Sequence, residues 1–428
     1  MKLAFRAAAL TLELIERRKI SFEKALKEAV SRVNLTKDVS LAYEYARGSL
    51  LKSYLADYLL KSRGLGRLPL RRVCAFRVAF YLCAFRGLRA EEIGYWTGGL
   101  LSSKLLSLVR YYLEEGEGLL SRLDPLTKIS VLYSHPHWLV KELARSMAQK
   151  EVVSLVKANE RPVTWIRVNL LKAEEGRVVR KLEREGVALE KDRDLEGIYK
   201  VTSTVKPLSK LRAFKSGEAI IQDKGSVAVV YSLNPSPGET VLDACAAPGL
   251  KAIMLAQLME DRGTIIALDV SEGRLREMRF LLKRYGAGNV EILRADSRKL
   301  PLLSNNVDKA LVDAPCSNSG AIRNDPALRL SLKDEGVVSR WVKVQRDLIS
   351  EVARNVKGEI VYSTCSLSAR EGEEVMEWLG GQVALKYLRP QVKGGMGFKG
   401  FPHRERYLRL FPHKDDCIAF FISKVCSE

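Results

Sequence analysis

Two cysteines stand where apolar runs end. "KALVDAPCSNSG", residues 309–320, carries Asp313, Pro315 and Cys316 directly after an apolar run, and "EIVYSTCS", residues 359–366, ends on Ser363, Thr364, Cys365 and Ser366. A thiolate is a strong nucleophile and also leaves, so a cysteine delivered to a strand end suits covalent catalysis that divides one hard step into easier ones. Free cysteines are often simple core residues. Two at strand ends beside a ligand-binding motif argue against that here. The motif is "DACAAPGLKA", residues 243–252: Ala246, Ala247 and Gly249 keep a turn small enough for a ligand to approach the backbone, and Lys251 opens the next helix. A second strand ends on Asp269, where an acid accepts hydrogen bonds from a ribose. A third ends on Asp296, placed to meet an adenine or a second ribose. Any one aspartate is more often a helix cap or turn residue. Three on successive strand ends point to a nucleoside, although neither GxGxxG nor a P-loop is present.

These residues need elements to carry them. From about residue 215, "TVLDAC", "TIIALDV", "VEILRAD", "KALVDA" and "EIVYSTC" read as strands, separated by helices such as "EGRLREMRFLLKRYG". Near-continuous apolar strands alternating with helices predict an α/β domain with a mostly parallel sheet covered on both faces, which binds ligands at the strands' carboxyl ends. "RYLRLFP" and "CIAFFISKV" would close it with an antiparallel edge. Residues 151–205 read as a short α+β module around "VTWIRVNLL" and "GIYKVTS". Residues 1 to about 120 show helical periodicity almost throughout, and a further helix is expected from about 136 to 149. The domains are therefore drawn as 1–122, 123–212 and 213–428.

Of 428 residues, 71 are Lys or Arg and 51 Asp or Glu, a net charge of +20. From Lys61 to Arg89 there are eight cations and no acid. They are interleaved with Leu70, Val73, Phe76, Phe80 and Tyr81, which predicts a structured basic face for a polyanion, with Arg71, Arg72 and Arg77 as nucleic-acid contacts. The 7 cysteines are scattered without a CxxC, so no zinc site is expected and a reduced, cytoplasmic setting is. No apolar run is long enough to span a membrane. The amphipathic "MKLAFRAAALTLELIERRK" reads as a helix and not a cleaved signal. The scarcity of Gln and Asn hints at a thermophile.

"DACAAPGLKA", "DAPCSNSGAIRNDP" and "YSTCS" resemble three signature motifs of the RsmB/Nop/Sun family of RNA (cytosine-5)-methyltransferases. The likeness covers about residues 215–425. "HPHWLV" and "RVNLL" look like the family's RNA-binding extension, and residues 1–120 like the NusB-like helical domain of some members. The resemblance implies a Rossmann-like methyltransferase domain that uses S-adenosylmethionine. It places the cofactor on Cys245, Ala246, Ala247, Pro248, Gly249, Leu250 and Lys251, with Asp269 on the ribose, Asp296 near the adenine and Asp313 near the methionine end. Which thiol attacks is open from the residues alone. By the resemblance Cys365 adds to carbon 6 of cytosine, Cys316 assists product release, and Asp313 works at N3. Arg323 and Lys251 would extend the basic track to the RNA.

Four positions depart from the family pattern. Leu250 stands for a glycine and would narrow the cofactor loop; Ala252 stands for Thr or Ser, Asn318 for glycine and Asn324 for arginine. The expected substrate is ribosomal RNA, because the NusB-like domain accompanies that branch, with transfer RNA as the alternative. A rival reading is a catalytically degenerate RNA-binding assembly factor. A monomer without metal is expected.

Overall fold

The computed structural model describes residues 1–301 and 307–427. The chain forms two compact units, Met1–Arg161 with Ile322–Glu335, and Pro162–Ala321 with Gly336–Glu428.

The first unit is helical. Its helices run Lys2–Arg18, Phe22–Arg32, Val39–Leu51, Ser53–Ser62, Leu70–Arg86, Ala90–Thr97, Ser103–Glu115, Pro125–Tyr133, His137–Ser146 and Gln149–Ala158. Helix Lys2–Arg18 buries Ala4, Ala8, Leu12 and Ile15 along one stripe, and Leu70–Arg86 buries Ala75, Phe76, Ala79 and Phe80 in the same core. Small residues beside large ones let the helices pack closely. Asp124 starts Pro125–Tyr133 by accepting the Leu126 and Thr127 amides, with Pro125 at the first turn.

The compact units divide the chain differently from the boundaries drawn above. Helix Pro125–Tyr133, drawn with the α+β module, packs with the N-terminal helices through Val131, and the helices to Ala158 fall in the same unit. The segment 322–335, expected in the catalytic domain, does so too: Ala327 and Leu330 join the helical core. Buried Arg329 donates to the carbonyls of Ile322 (3.0 Å) and Asn159 (2.9 Å), and the Tyr54 hydroxyl donates to the Arg329 carbonyl (2.7 Å). A buried guanidinium must find acceptors, and these lie on the helical unit.

In the second unit the strands are β1 (Trp165–Val168), β2 (Val187–Lys191), β3 (Ile198–Thr204), β4 (Ala219–Ile221), β5 (Thr240–Asp243), β6 (Thr264–Asp269), β7 (Val290–Arg294), β8 (Lys309–Asp313), β9 (Glu359–Thr364), β10 (Leu385–Leu388), β11 (Gly395–Met396), β12 (Leu408–Leu410) and β13 (Phe420–Ser427). β1 to β4 form a small antiparallel sheet in the order β2-β3-β1-β4, on which helix Glu175–Arg184 buries Val178 and Leu182. The large sheet runs β11-β12-β13-β9-β8-β5-β6-β7, with β10 also on β13. β7, β6, β5, β8 and β9 are parallel, and β13 joins β9 antiparallel, as the apolar runs predict. The chain builds outward from β5 through β6 to β7, then returns to the other side of β5 with β8 and β9. The switch in strand order thus lies between β5 and β8, where such sheets bind ligands. Among the described residues, no helix is long and apolar enough to cross a membrane.

Candidate active site

The register of β8 on β9 pairs Asp313 with Ser363, so the loops carrying Cys316 and Cys365 leave the sheet side by side. Gly320 joins them: its amide donates to the Cys365 carbonyl (3.0 Å) and its carbonyl accepts from Ala419 (3.0 Å). A Cβ there would fall 2.5 Å from the Ala419 oxygen and 2.9 Å from the Cys365 oxygen, so only glycine fits. The two sulfurs come within 3.3 Å. Cys316 is 5% exposed, whereas Cys365 is only partly buried. The hydrogen bond with Cys365, burial, and the charges of Cys365 and Glu371 push the Cys316 thiol well above its usual range. Asn318, in the left-handed region at φ 58°, presents Oδ1 to both thiols, 2.9 Å from Cys365 and 3.7 Å from Cys316.

Beneath the thiols lies Glu371, which sequence reasoning missed. Its carboxyl accepts from the Ser317 amide (2.8 Å), the Ser317 and Ser366 hydroxyls (2.5 and 2.6 Å) and the Gln345 amide (3.2 Å). One buried side chain thus holds the neighbours of both cysteines. Burial pushes its carboxyl up, against the pull of those hydrogen bonds. Fully buried Arg409 adds a second tie, pairing with Glu373 and donating to the Ser366 carbonyl (3.0 Å).

Lys251 ion-pairs with Asp313 at 2.6 Å, and the Ser363 hydroxyl donates to the other Asp313 oxygen at 2.7 Å. Burial works against the Lys251 ammonium, but Asp313 outweighs it and raises its pKa. On β5, buried Asp243 is pushed up to about 7 by burial and the charge of Asp313, with Lys251 only partly offsetting them.

A cleft of about 600 Å³ opens at these strand ends, lined by Cys245, Ala247, Pro248, Asp269, Asp296 and Asp313 and by both thiols. The remaining residues of the expected cofactor loop lie behind it. The Ala246 amide donates to the Leu268 carbonyl (2.9 Å), Leu250 packs on the core and Lys251 pairs with Asp313. Gly249 turns the chain at φ 105°, with Met278 2.8 Å from where a Cβ would sit. Leu250 therefore does not narrow the cleft, contrary to expectation, and Ala252 is buried.

Asp269 accepts from the Ser271 amide (2.9 Å) and pairs with Arg274 (3.1 Å), while Asp296 pairs with Arg298 (2.6 Å). Arg274, Arg298 and Trp341 line the cleft as well; their helix or loop positions carried no signal in the sequence. Carboxylates at the strand ends suit ribose and amino groups, and the apolar walls from Ala244, Val270 and Leu348 suit a purine. The residues present thus fit S-adenosylmethionine.

Two of the expected RNA contacts are corrected. Arg77 is 2% exposed and is consumed by Asp57 (2.7 and 2.9 Å) and Glu16 (2.5 Å). Arg323 is 8% exposed and its Nε donates to the Arg161 carbonyl (2.7 Å). A guanidinium so engaged has little left for phosphate. Asn324 lies in the same helical-unit segment. Arg72 is half-buried and donates to the Leu100 carbonyl (3.1 Å), whereas Arg71 is exposed beside Lys2 and Arg6.

Comparison with known proteins agrees with this geometry. Residues 230–426 match the model of the 16S rRNA methyltransferase RsmB/F family, and residues 135–205 match the ferredoxin-like domain of RsmF/B-like methyltransferases. The probable ribosomal RNA small subunit methyltransferase B of Bacillus subtilis (strain 168) is 33% identical over 311 residues, covering 70% of this chain and 68% of that protein. The tRNA (cytosine(72)-C(5))-methyltransferase of Pyrococcus horikoshii is 35% identical over 220 residues, 51% of this chain and 54% of its own. The crystal structure of PH0851 superposes with a TM-score of 0.81 at 26% identity, over 100% of this chain and 99% of that one. By these matches this chain belongs to the RsmB/F family of S-adenosylmethionine-dependent RNA (cytosine-5)-methyltransferases.

Proposed function

We propose that the protein methylates a cytosine of ribosomal RNA at carbon 5 through a covalent bond from Cys365 to carbon 6, and that Cys316 serves product release. The observation that carries this reading is the asymmetry of two thiols 3.3 Å apart. Cys365 is the more accessible, while Cys316 is buried and its thiol is held protonated by its surroundings. Nucleophilic attack needs the thiolate, and assisting a departing sulfur needs a proton.

Addition of the Cys365 thiolate forms the S–C6 bond and moves the C5–C6 π electrons, making carbon 5 nucleophilic and building negative charge towards N3. The Lys251–Asp313 pair brings a proton donor and an acceptor to that edge, so the expected role of Asp313 at N3 is shared with Lys251. Bound S-adenosylmethionine supplies an electrophilic methyl group to carbon 5. The carbon-5 proton is then lost to solvent as the C6–S bond breaks, with the Cys316 thiol in reach of the leaving sulfur. The N3 proton returns, and the net exchange is a methyl group for one proton. The target base must be single-stranded or flipped out.

The groove of the helical unit that contains Arg6, Arg32 and Arg71 would hold flanking RNA by its phosphates. The B. subtilis relative, matched over the longer stretch, favours ribosomal RNA, and the P. horikoshii relative keeps transfer RNA as the second reading. Since the cleft and both thiols come from one chain, the protein is read as a monomer at work in the cytoplasm. The degenerate-factor reading loses its support, because Leu250 stays out of the cleft.

Denaturing gels of the protein with cofactor and labelled ribosomal or transfer RNA test this. Cys365→Ala should abolish methylation and leave no adduct. Cys316→Ala should accumulate a covalent protein–RNA band, because losing a release group traps the intermediate. An adduct from Cys365→Ala and none from Cys316→Ala would reverse the roles, and methylation of the transfer RNA alone would reverse the substrate.

A further inference from the structure

We propose that Asn318 is a further catalytic residue, whose carboxamide sets how readily the Cys365 thiol becomes the attacking thiolate. The inference rests on the reading of Cys365 as nucleophile. The backbone of Asn318 sits at φ 58°, a conformation that glycine would adopt at no cost, so the turn itself does not need the side chain. What the side chain adds is a polar group on the nucleophile. Its Oδ1 accepts from the Cys365 thiol at 2.9 Å and faces Cys316 at 3.7 Å. Its Nδ2 makes no hydrogen bond to another described residue, so nothing anchors the amide in one orientation.

A half-turn about the Cβ–Cγ bond replaces Oδ1 by an N–H at the same sulfur. The resting thiol then has an acceptor, and the thiolate, once its proton has gone to solvent, has a donor. The two states do not gain equally. S–H is a weak donor, whereas an N–H donating to a charged acceptor makes a bond roughly twice as strong as a neutral one. The difference favours the thiolate.

The other groups facing Cys365 are the Cys316 thiol and the Lys251 ammonium with its Asp313 partner. Lys251 favours the thiolate, and Asp313 opposes it. Asn318 stands closest of the neutral groups, and turning its amide from acceptor to donor gives up only the longer 3.7 Å contact with Cys316.

The test is the rate of iodoacetamide alkylation of Cys365 against pH in the full chain, read by mass spectrometry of the Cys365 peptide from about pH 6 to about pH 10, around the ~8.5 of a free thiol. Asn318→Gly keeps the backbone and removes the amide. Asn318→Asp keeps the size and replaces the donor with a carboxylate. Buried Cys74 and Cys83 stay unmodified in the same digest if the variants fold. The midpoint should rise in Asn318→Gly, slowing alkylation roughly three- to tenfold at neutral pH, about tenfold being one pH unit, and rise further in Asn318→Asp. A midpoint that is unchanged or lower in Asn318→Gly overturns the proposal. No RNA or cofactor is used, so this outcome is separate from that of the adduct experiment, which decides whether Cys365 attacks cytosine.

Discussion

Asp57 in the helical unit, partly buried, and Asp243 in the sheet unit, fully buried, are carboxylates whose charges go opposite ways. Burial pushes each one up. For Asp57 that push is overcome by Arg77, which grips both carboxylate oxygens, and by Lys333 at 3.0 Å, and its pKa falls to about 2. For Asp243 the next influence is another carboxylate, Asp313, and its pKa rises to about 7. One region therefore uses a partly buried acid as a permanent charge that ties helices together. The other keeps an acid uncharged until near neutrality, one strand away from the reacting groups. The residue type is the same; its state follows from the neighbours that tertiary contacts supply.

The largest expected effect comes from removing the cation. Arg77→Met leaves Asp57 and Glu16 with Lys333 as their remaining cation and should cost about 3–5 kcal/mol, measured by urea unfolding followed by tryptophan fluorescence. A cost below about 1 kcal/mol would dissolve the contrast.

Asp243→Asn should act in the other direction. The unfolded chain sheds this proton near 3.8, whereas the native state keeps it until about 7. The group's contribution is therefore complete below the lower value and is lost as pH rises through the upper one, a span worth roughly 4 kcal/mol. The variant should match the wild type near the bottom of that window and exceed its stability above it. A difference that does not change with pH would show that Asp243 does not titrate there.

Asp57→Asn has the opposite sign. The depressed pKa contributes stability above about 3.8 that is lost as pH falls through about 2, so the variant should be roughly 2–3 kcal/mol weaker at pH 7 and equal to the wild type in strong acid. Parallel pH curves for the two variants would remove the distinction between the regions.

The smallest effect separates a binding cation from a structural one. Arg71→Gln should lower the salt slope of RNA affinity by about 0.7 to 1. Arg77→Met, measured where it is folded, should leave that slope unchanged. Equal changes in slope would return Arg77 to the RNA-binding face.

Much of the catalytic half is legible in the chain itself. β5, β6, β8 and β9 are apolar because helices or further strands cover the sheet, and their first polar residues mark the carboxyl ends where ligands bind. Asp269, Asp313, Cys316 and Cys365 therefore stand out. β4, β10 and β11 do not, being short strands whose pairing depends on distant partners. Glu371 is hidden for a different reason. In "AREGEE" nothing distinguishes Glu371 and Glu373, which the fold buries, from Glu374, which it leaves exposed.

By itself the sequence determined the alternation of the long apolar strands with helices, the motifs at their ends and the cationic excess, because each follows from local pattern or from composition. Only the tertiary structure decided that Arg77 is a partner for Asp57 and not for phosphate, that residues 322–335 fold with the helices, and that Asn318 and Glu371 meet the thiol loops. The physical reason is common to all of these: a charge or an amide takes its role from the groups within a few ångströms of it, and here those groups come from distant parts of the chain.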